Sequence, residues 1–159
     1  MVEPVTDYNT LSLKQFRDLF VSLPVPDMAS IRGVYRAAFV GPAWLRTSAG
    51  PALALSGLGG WWGKEFSADG TAVNIVLRDG NFSTRFPMKL VNAKSFIDGR
   101  DGLAVHYQPG NPFPWMYIVD ELRQMKADTL LGMTLANVNG LRNLAFPFTL
   151  QYQEHGYGL

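Results

Sequence analysis

Thr71-Ala72-Val73-Asn74-Ile75-Val76-Leu77-Arg78-Asp79-Gly80-Asn81-Phe82-Ser83-Thr84-Arg85-Phe86-Pro87-Met88-Lys89-Leu90-Val91 reads as two extended runs joined by a tight reversal. An Asp-Gly pair between β-prone segments is a hairpin signal, because the short primed turns that match strand twist need positive φ at their centre. In the second run Phe82, Thr84, Phe86, Met88 and Leu90 alternate with Ser83, Arg85, Pro87 and Lys89, the period of a strand with one apolar face. Proline cannot donate to a ladder, so Pro87 is expected at an edge or a bulge.

The same punctuation extends outward from this hairpin. Upstream, Trp61–Phe66 runs into Ala68-Asp69-Gly70, and Ile31–Val40 is stopped by Gly41-Pro42. Downstream, Asp98-Gly99-Arg100-Asp101-Gly102 turns into Leu103–Tyr107, and a stiff loop follows from Pro109 to Pro114. Trp115–Gln124 then reads as a strand, although Asp120-Glu121-Leu122-Arg123 also suits a helix. Lys126-Ala127-Asp128 leads into Leu130–Leu135. After the Asn139-Gly140 turn, Leu144, Phe146, Phe148, Leu150 and Tyr152 alternate along a last strand. The sum is a mainly β chain of about eight sequential antiparallel strands, with no recurrent helices to support a parallel sheet. An up-and-down barrel is its natural closure, since closure removes the exposed edges of a flat sheet.

Two helices are expected. Residues 11–23 place Leu13, Phe16, Leu19, Phe20 and Leu23 on one face, with Ser12 and Gln15 at capping-box spacing and Pro24 as the stop. This N-terminal helix is expected to lie over the sheet or to plug a barrel end. A shorter helix is expected over Pro51–Leu58, with Pro51 in its first turn. The 159 residues suit one domain spanning 1–159, with loose termini at 1–10 and 154–159.

Composition narrows the function. Fourteen basic and 13 acidic side chains leave no net field for nucleic acid or an anionic membrane surface. With no cysteine, thiolate chemistry, disulfides and iron–sulfur clusters are excluded, and a reducing cytoplasmic setting is compatible. No apolar run approaches the roughly 18 residues of a membrane-spanning segment. Of two histidines only His106 lies in a strand, so neither a metal site nor a cofactor is expected. Nucleophile elbows and phosphate-binding loops are missing as well.

The candidate site residues are polar or aromatic groups that alternation can turn inward. Gly57-Leu58-Gly59-Gly60-Trp61-Trp62-Gly63-Lys64 flanks a tryptophan pair with glycines, and strand geometry sends the two rings to opposite faces. One is therefore available as a wall for an apolar ligand. Arg36, Trp61, Asn74, His106 and Tyr107 are the expected ligand-binding set, with Lys64 as a further inward candidate. Asp120 or Glu121 is the expected carboxylate for a buried Arg36, unless that arginine answers a ligand's acid group. His106 and Asp120 are the candidate catalytic acid–base pair, if the barrel is an enzyme.

Gly33-Val34-Tyr35, following a helix, resembles the Gly-x-Trp opening of the lipocalin and fatty-acid-binding group, with tyrosine where that group has tryptophan. The order Gly60-Trp61-Trp62-Gly63-Lys64, Asp120-Glu121-Leu122-Arg123, Leu130-Leu131-Gly132-Met133 and an aromatic closing strand resembles bacterial domains of the GxWxG type. Both resemblances imply a lipocalin-like (calycin) barrel and neither supplies an activity. Three functions follow as expectations. The first is a cytoplasmic barrel binding a small apolar or amphipathic ligand of lipid, fatty-acid or aromatic type, with no nucleic acid and no membrane insertion. The second is an isomerase, cyclase or hydrolase working in the same cavity. The third is an interaction domain, such as a homodimer, using Trp44 and Trp115.

Overall fold

The computed structural model describes residues 7–158. Its strands are β1 (Gly33–Phe39), β2 (Trp61–Phe66), β3 (Thr71–Arg78), β4 (Asn81–Lys94), β5 (Asp101–Tyr107), β6 (Ile118–Lys126), β7 (Thr129–Ala136) and β8 (Phe146–Tyr152). Each pairs antiparallel with its sequence neighbours, and β8 returns to β1 through pairs such as Ala37 with Leu150, so the meander closes as a barrel. The β3–β4 reversal has Asp79 and Gly80 both at positive φ, as a primed hairpin turn requires.

Two bulges decide which side chains face inward. Between β3 and β4, Ala72 pairs with Met88 but Asn74 pairs with Arg85, leaving an extra residue on β4, where Phe86 takes φ +55°. The expected common face of β4 is therefore divided. Met88 and Leu90 enter the interior, whereas Phe82 packs outside against Trp62. Between β2 and β3, Trp61 pairs with Val76 and Gly63 with Ile75, so Trp62 is the extra residue. This shift brings Lys64 opposite Asn74, inside the barrel. Gly63 is required there, since a Cβ would lie 2.0 Å from the Tyr35 carbonyl oxygen on β1.

Helix α1 (Leu13–Ser22) has the expected capping box between Ser12 and Gln15. It lies on the outer face of the sheet, where Phe16 and Phe20 meet Ala104, Val119, Leu131, Met133 and Leu135. Arg123 latches it. This buried guanidinium donates to the Phe20 carbonyl (3.1 Å) and to both Asp98 carboxylate oxygens (3.0 Å each), with the Phe20 ring 4.4 Å away.

Helix α2 (Ala43–Leu55) starts eight residues before the expected Pro51, which sits inside it rather than in its first turn. Pro42 is its N-cap, so the Gly41-Pro42 strand stop also launches the helix. Trp115–Tyr117 forms a 3-10 turn and β6 begins at Ile118, so the strand alternative holds for most of Trp115–Gln124. Within the C-terminal tail Glu154, His155 and Gly158 are exposed, but Tyr157 is docked: it stacks on Phe82, meets Trp62 edge-on, and donates from its hydroxyl to Glu65. Residues 1–6 and 159 of the expected loose termini lie outside the described residues, and Tyr8–Thr10 forms a 3-10 turn. Among the described residues no helix is long and apolar enough to cross a membrane.

Candidate functional site

One end of the barrel interior is filled and the other is hollow. Tyr35, Phe66, Leu90, Leu103, Leu122, Leu130 and Leu150 are buried in the main core. Toward the opposite end, where β1 finishes and β2 begins, the strands surround a cavity of about 350 Å³ beneath α2. That volume lies at the lower end of the range of small-molecule sites. Its walls are apolar: Leu45 and Leu53 from α2, Phe39 and Trp61 from the strands, Trp115 from the loop, and Phe148 from β8. Trp61 packs against Phe39 and Phe148 at centroid distances of 5.8 and 5.5 Å. Of the α2 residues only Leu45 is buried, so the helix covers the space without filling it.

The cavity floor is polar and highly ordered. Lys64 Nζ lies 3.0 Å from Asp120 Oδ2, and the two residues are 1% and 3% exposed. The same ammonium donates to Asn74 Oδ1 at 2.8 Å and contacts Met88 Sδ at 3.3 Å. Asn74 Oδ1 also accepts from Trp61 Nε1 (3.1 Å), while Asn74 Nδ2 donates to the Tyr107 hydroxyl (2.9 Å). Thr134 Oγ1 donates to Asp120 Oδ1 at 2.7 Å. Six side chains from β2, β3, β5, β6 and β7 thus form one connected network, in which each buried polar group is held by another.

Burial governs the protonation of this network. Desolvation pushes the Lys64 ammonium below the usual lysine value, and the attraction of Asp120 opposes it only in part. Tyr107 is pushed well above the ordinary phenol range by burial and by the Asp120 charge, against the Asn74 hydrogen bond, so it stays a neutral O–H at physiological pH.

Of the expected ligand-binding set, the structure brings together Trp61, Asn74 and Tyr107 and joins them to Lys64 and Asp120. Two members lie elsewhere. Arg36 is exposed on the outer face with its guanidinium 5.0 Å from the Trp62 ring, so Asp120 pairs with Lys64 rather than with Arg36. Glu121 faces outward too, accepting from the Phe96 amide, and burial raises its carboxyl above the usual range despite hydrogen bonds from Ser95 and Phe96.

His106 follows strand alternation to the outside while Val105 and Tyr107 point in, so it makes no hydrogen bond to Asp120. Among the described residues its buried Nε2 has no hydrogen-bond partner, and desolvation lowers its pKa against the pull of Asp120. The expected His106–Asp120 pair is therefore split across the wall. Trp115, expected at an exposed partner surface, is buried and donates its indole N–H to the Ser56 carbonyl (2.7 Å). Thr134 and the α2 residues escaped the sequence reading. Thr134 is an ordinary strand threonine by pattern, and only the β6–β7 pairing of Asp120 with Thr134 reveals its place. Among the described residues no group of three or more histidines and carboxylates could hold a metal ion.

No protein-family model matches the chain, and no curated protein matches it. A crystal structure of a protein from Thermomonospora curvata shares the fold, with a TM-score of 0.70 over 91% of this chain and 90% of that one at 15% identity. The likeness concerns the fold alone. An eight-stranded antiparallel barrel with two helices is the class that the architecture defines, consistent at that level with a lipocalin-like barrel.

Proposed function

We propose that this protein is a cytoplasmic small-molecule-binding barrel whose ligand is mostly apolar, of lipid or aromatic type, with a polar end directed at the Lys64–Asp120 floor. The observation that carries the proposal is the apolar cavity of about 350 Å³ beneath a helix that covers it with one buried residue. The space is open to solvent on one side, which gives a ligand a way in. An apolar wall with a few convergent polar groups is the usual composition of a ligand site.

The test uses the tryptophans that line the cavity, Trp44, Trp61 and Trp115. Titration with medium-chain lipids and aromatic compounds is expected to give a saturable change in emission. Ala49→Trp, on the cavity side of α2, is expected to abolish that change while circular dichroism stays native. Saturable binding that persists in the filled variant rules the cavity out as the site.

One observation favours a second reading, an enzyme of the isomerase, cyclase or hydrolase class. Asp120 and the Tyr107 hydroxyl share the cavity floor, the placement needed by a general base and a general acid. Turnover of a bound ligand that is lost in both Asp120→Asn and Tyr107→Phe would establish it, and unchanged ligand after prolonged incubation would remove it.

A further inference from the structure

We infer that the cavity selects ligands whose polar end is an uncharged hydrogen-bond acceptor, such as an ester, ketone or alcohol, in preference to a carboxylate or an amine. The inference rests on the cavity being a ligand site and names the chemistry of what enters it.

Lys64 and Asp120 are the charged side chains on the cavity wall, and they are paired with each other. An entering carboxylate would add a second negative charge beside Asp120 with no cation left to balance it, and burying an unpaired charge is costly. Lys64 offers it nothing further, because its ammonium is already engaged by Asp120, Asn74 and Met88. An amine meets the complementary obstacle, since Asp120 is engaged through both oxygens by Lys64 and Thr134.

Among the wall residues that carry a donor in this network, Trp61 donates to Asn74 and Thr134 donates to Asp120. Tyr107 differs. Its hydroxyl accepts from Asn74, and among the described residues its own hydrogen has no acceptor. A buried O–H with a free proton on the wall of an apolar cavity is a donor set for a neutral oxygen. Burial keeps that proton in place by raising the phenol pKa.

The probes are one ten-carbon series: decane, decanol, methyl decanoate, decanoic acid and decylamine, titrated at neutral pH against tryptophan emission. Methyl decanoate and decanol are expected to bind at least about tenfold tighter than decanoate and decylamine, a ratio worth about 1.4 kcal/mol. Tyr107→Phe is expected to bring the ester and the alcohol to the affinity that decane has for the same variant, with native circular dichroism showing that the variant is folded. Decanoate that binds as tightly as its methyl ester overturns the inference and leaves the cavity reading standing. The same holds if the ester keeps its advantage over decane in Tyr107→Phe. Absence of saturable binding by all five probes overturns both.

Discussion

Replacing Asp120 by asparagine keeps the volume of the side chain and removes its charge, leaving the Lys64 ammonium buried without a counter-ion. Lys64 is 1% exposed, so without Asp120 its ammonium stays charged only at a desolvation cost. It can lose its proton instead. Neutralising a lysine with an ordinary value of about 10.4 at pH 7 costs about 1.36 kcal/mol for each of about 3.4 pH units, or roughly 4.6 kcal/mol, which caps the penalty. Breaking a buried pair typically costs about 3–5 kcal/mol, in agreement with that ceiling. A domain of this size has about 5–15 kcal/mol in total, so the variant is expected to fold with much of its margin gone.

Urea unfolding at pH 7 measures the loss, and the pH dependence identifies its cause. In Asp120→Asn the folded-state pKa of Lys64 lies far below its unfolded value, so the unfolded chain binds the extra proton. Stability of the variant must therefore rise with pH up to about 10, more steeply than in the parent protein. Lys64→Met/Asp120→Asn is expected to recover most of the loss, because no charge is left unpaired. A loss below about 1 kcal/mol, a flat pH profile, or a double variant equal to the sum of the singles would refute this account of the pair.

Three other outcomes follow from the fold. Gly63→Ala drives a Cβ into the Tyr35 carbonyl, which as backbone of the paired strand cannot move aside; a loss of at least about 3 kcal/mol is expected in urea unfolding. Burial pushes the Asp98 carboxyl up, but hydrogen bonds from Arg123 and Arg100 outweigh it and hold the group well below the usual range. Its contribution is therefore present above the unfolded value of about 3.9 and lost as pH falls through the folded value. Asp98→Asn should accordingly flatten the stability profile below about pH 4, and an unchanged acid limb would contradict this. Ser12→Ala removes the Ser12 half of the capping box and is expected to cost about 1 kcal/mol, seen as a fall of about 2–4 °C in Tm.

The barrel was legible because each of its strands is bounded by turn chemistry that acts locally: Asp79-Gly80 at the hairpin, Gly41-Pro42 at the end of β1, Asn139-Gly140 before β8. Ser12 and Gln15 announced α1 in the same way. Facing was less legible, because a bulge changes the inside–outside parity of everything beyond it and leaves no mark in composition. The extra residue at Trp62 moves Lys64 inward, away from the face that unbroken alternation from Trp62 would give it. Phe86 does the same to β4, separating Phe82 from Met88.

The candidate site was half visible for a related reason. Trp61, Asn74 and Tyr107 obey simple alternation and were found, whereas Arg36 and His106 were drawn inward only by their polarity within apolar runs. Arg36 satisfies its charge against Trp62 and solvent, an arrangement that periodicity does not distinguish from burial. The start of α2 at Ala43 is hidden in the sequence, because Thr47, Ser48 and Gly50 are poor helix formers and Pro42 at the N-cap position makes no side-chain hydrogen bond to the helix.

The β1–β8 seam sets the order in which this molecule can be completed. Until Phe146–Tyr152 is available, β1 from Tyr35 to Phe39 and β7 from Thr129 to Thr134 each present an unpaired edge. Pairing between strands so far apart in the chain is slow to form, because a long loop must close before any contact rewards it. A nascent chain halted short of β8 is thus an open sheet of seven strands with two sticky borders, the form most prone to pair with its neighbours. Release of the last strand ends that exposure in one step, and Tyr157 then fastens the outside of the finished barrel through Trp62, Phe82 and Glu65.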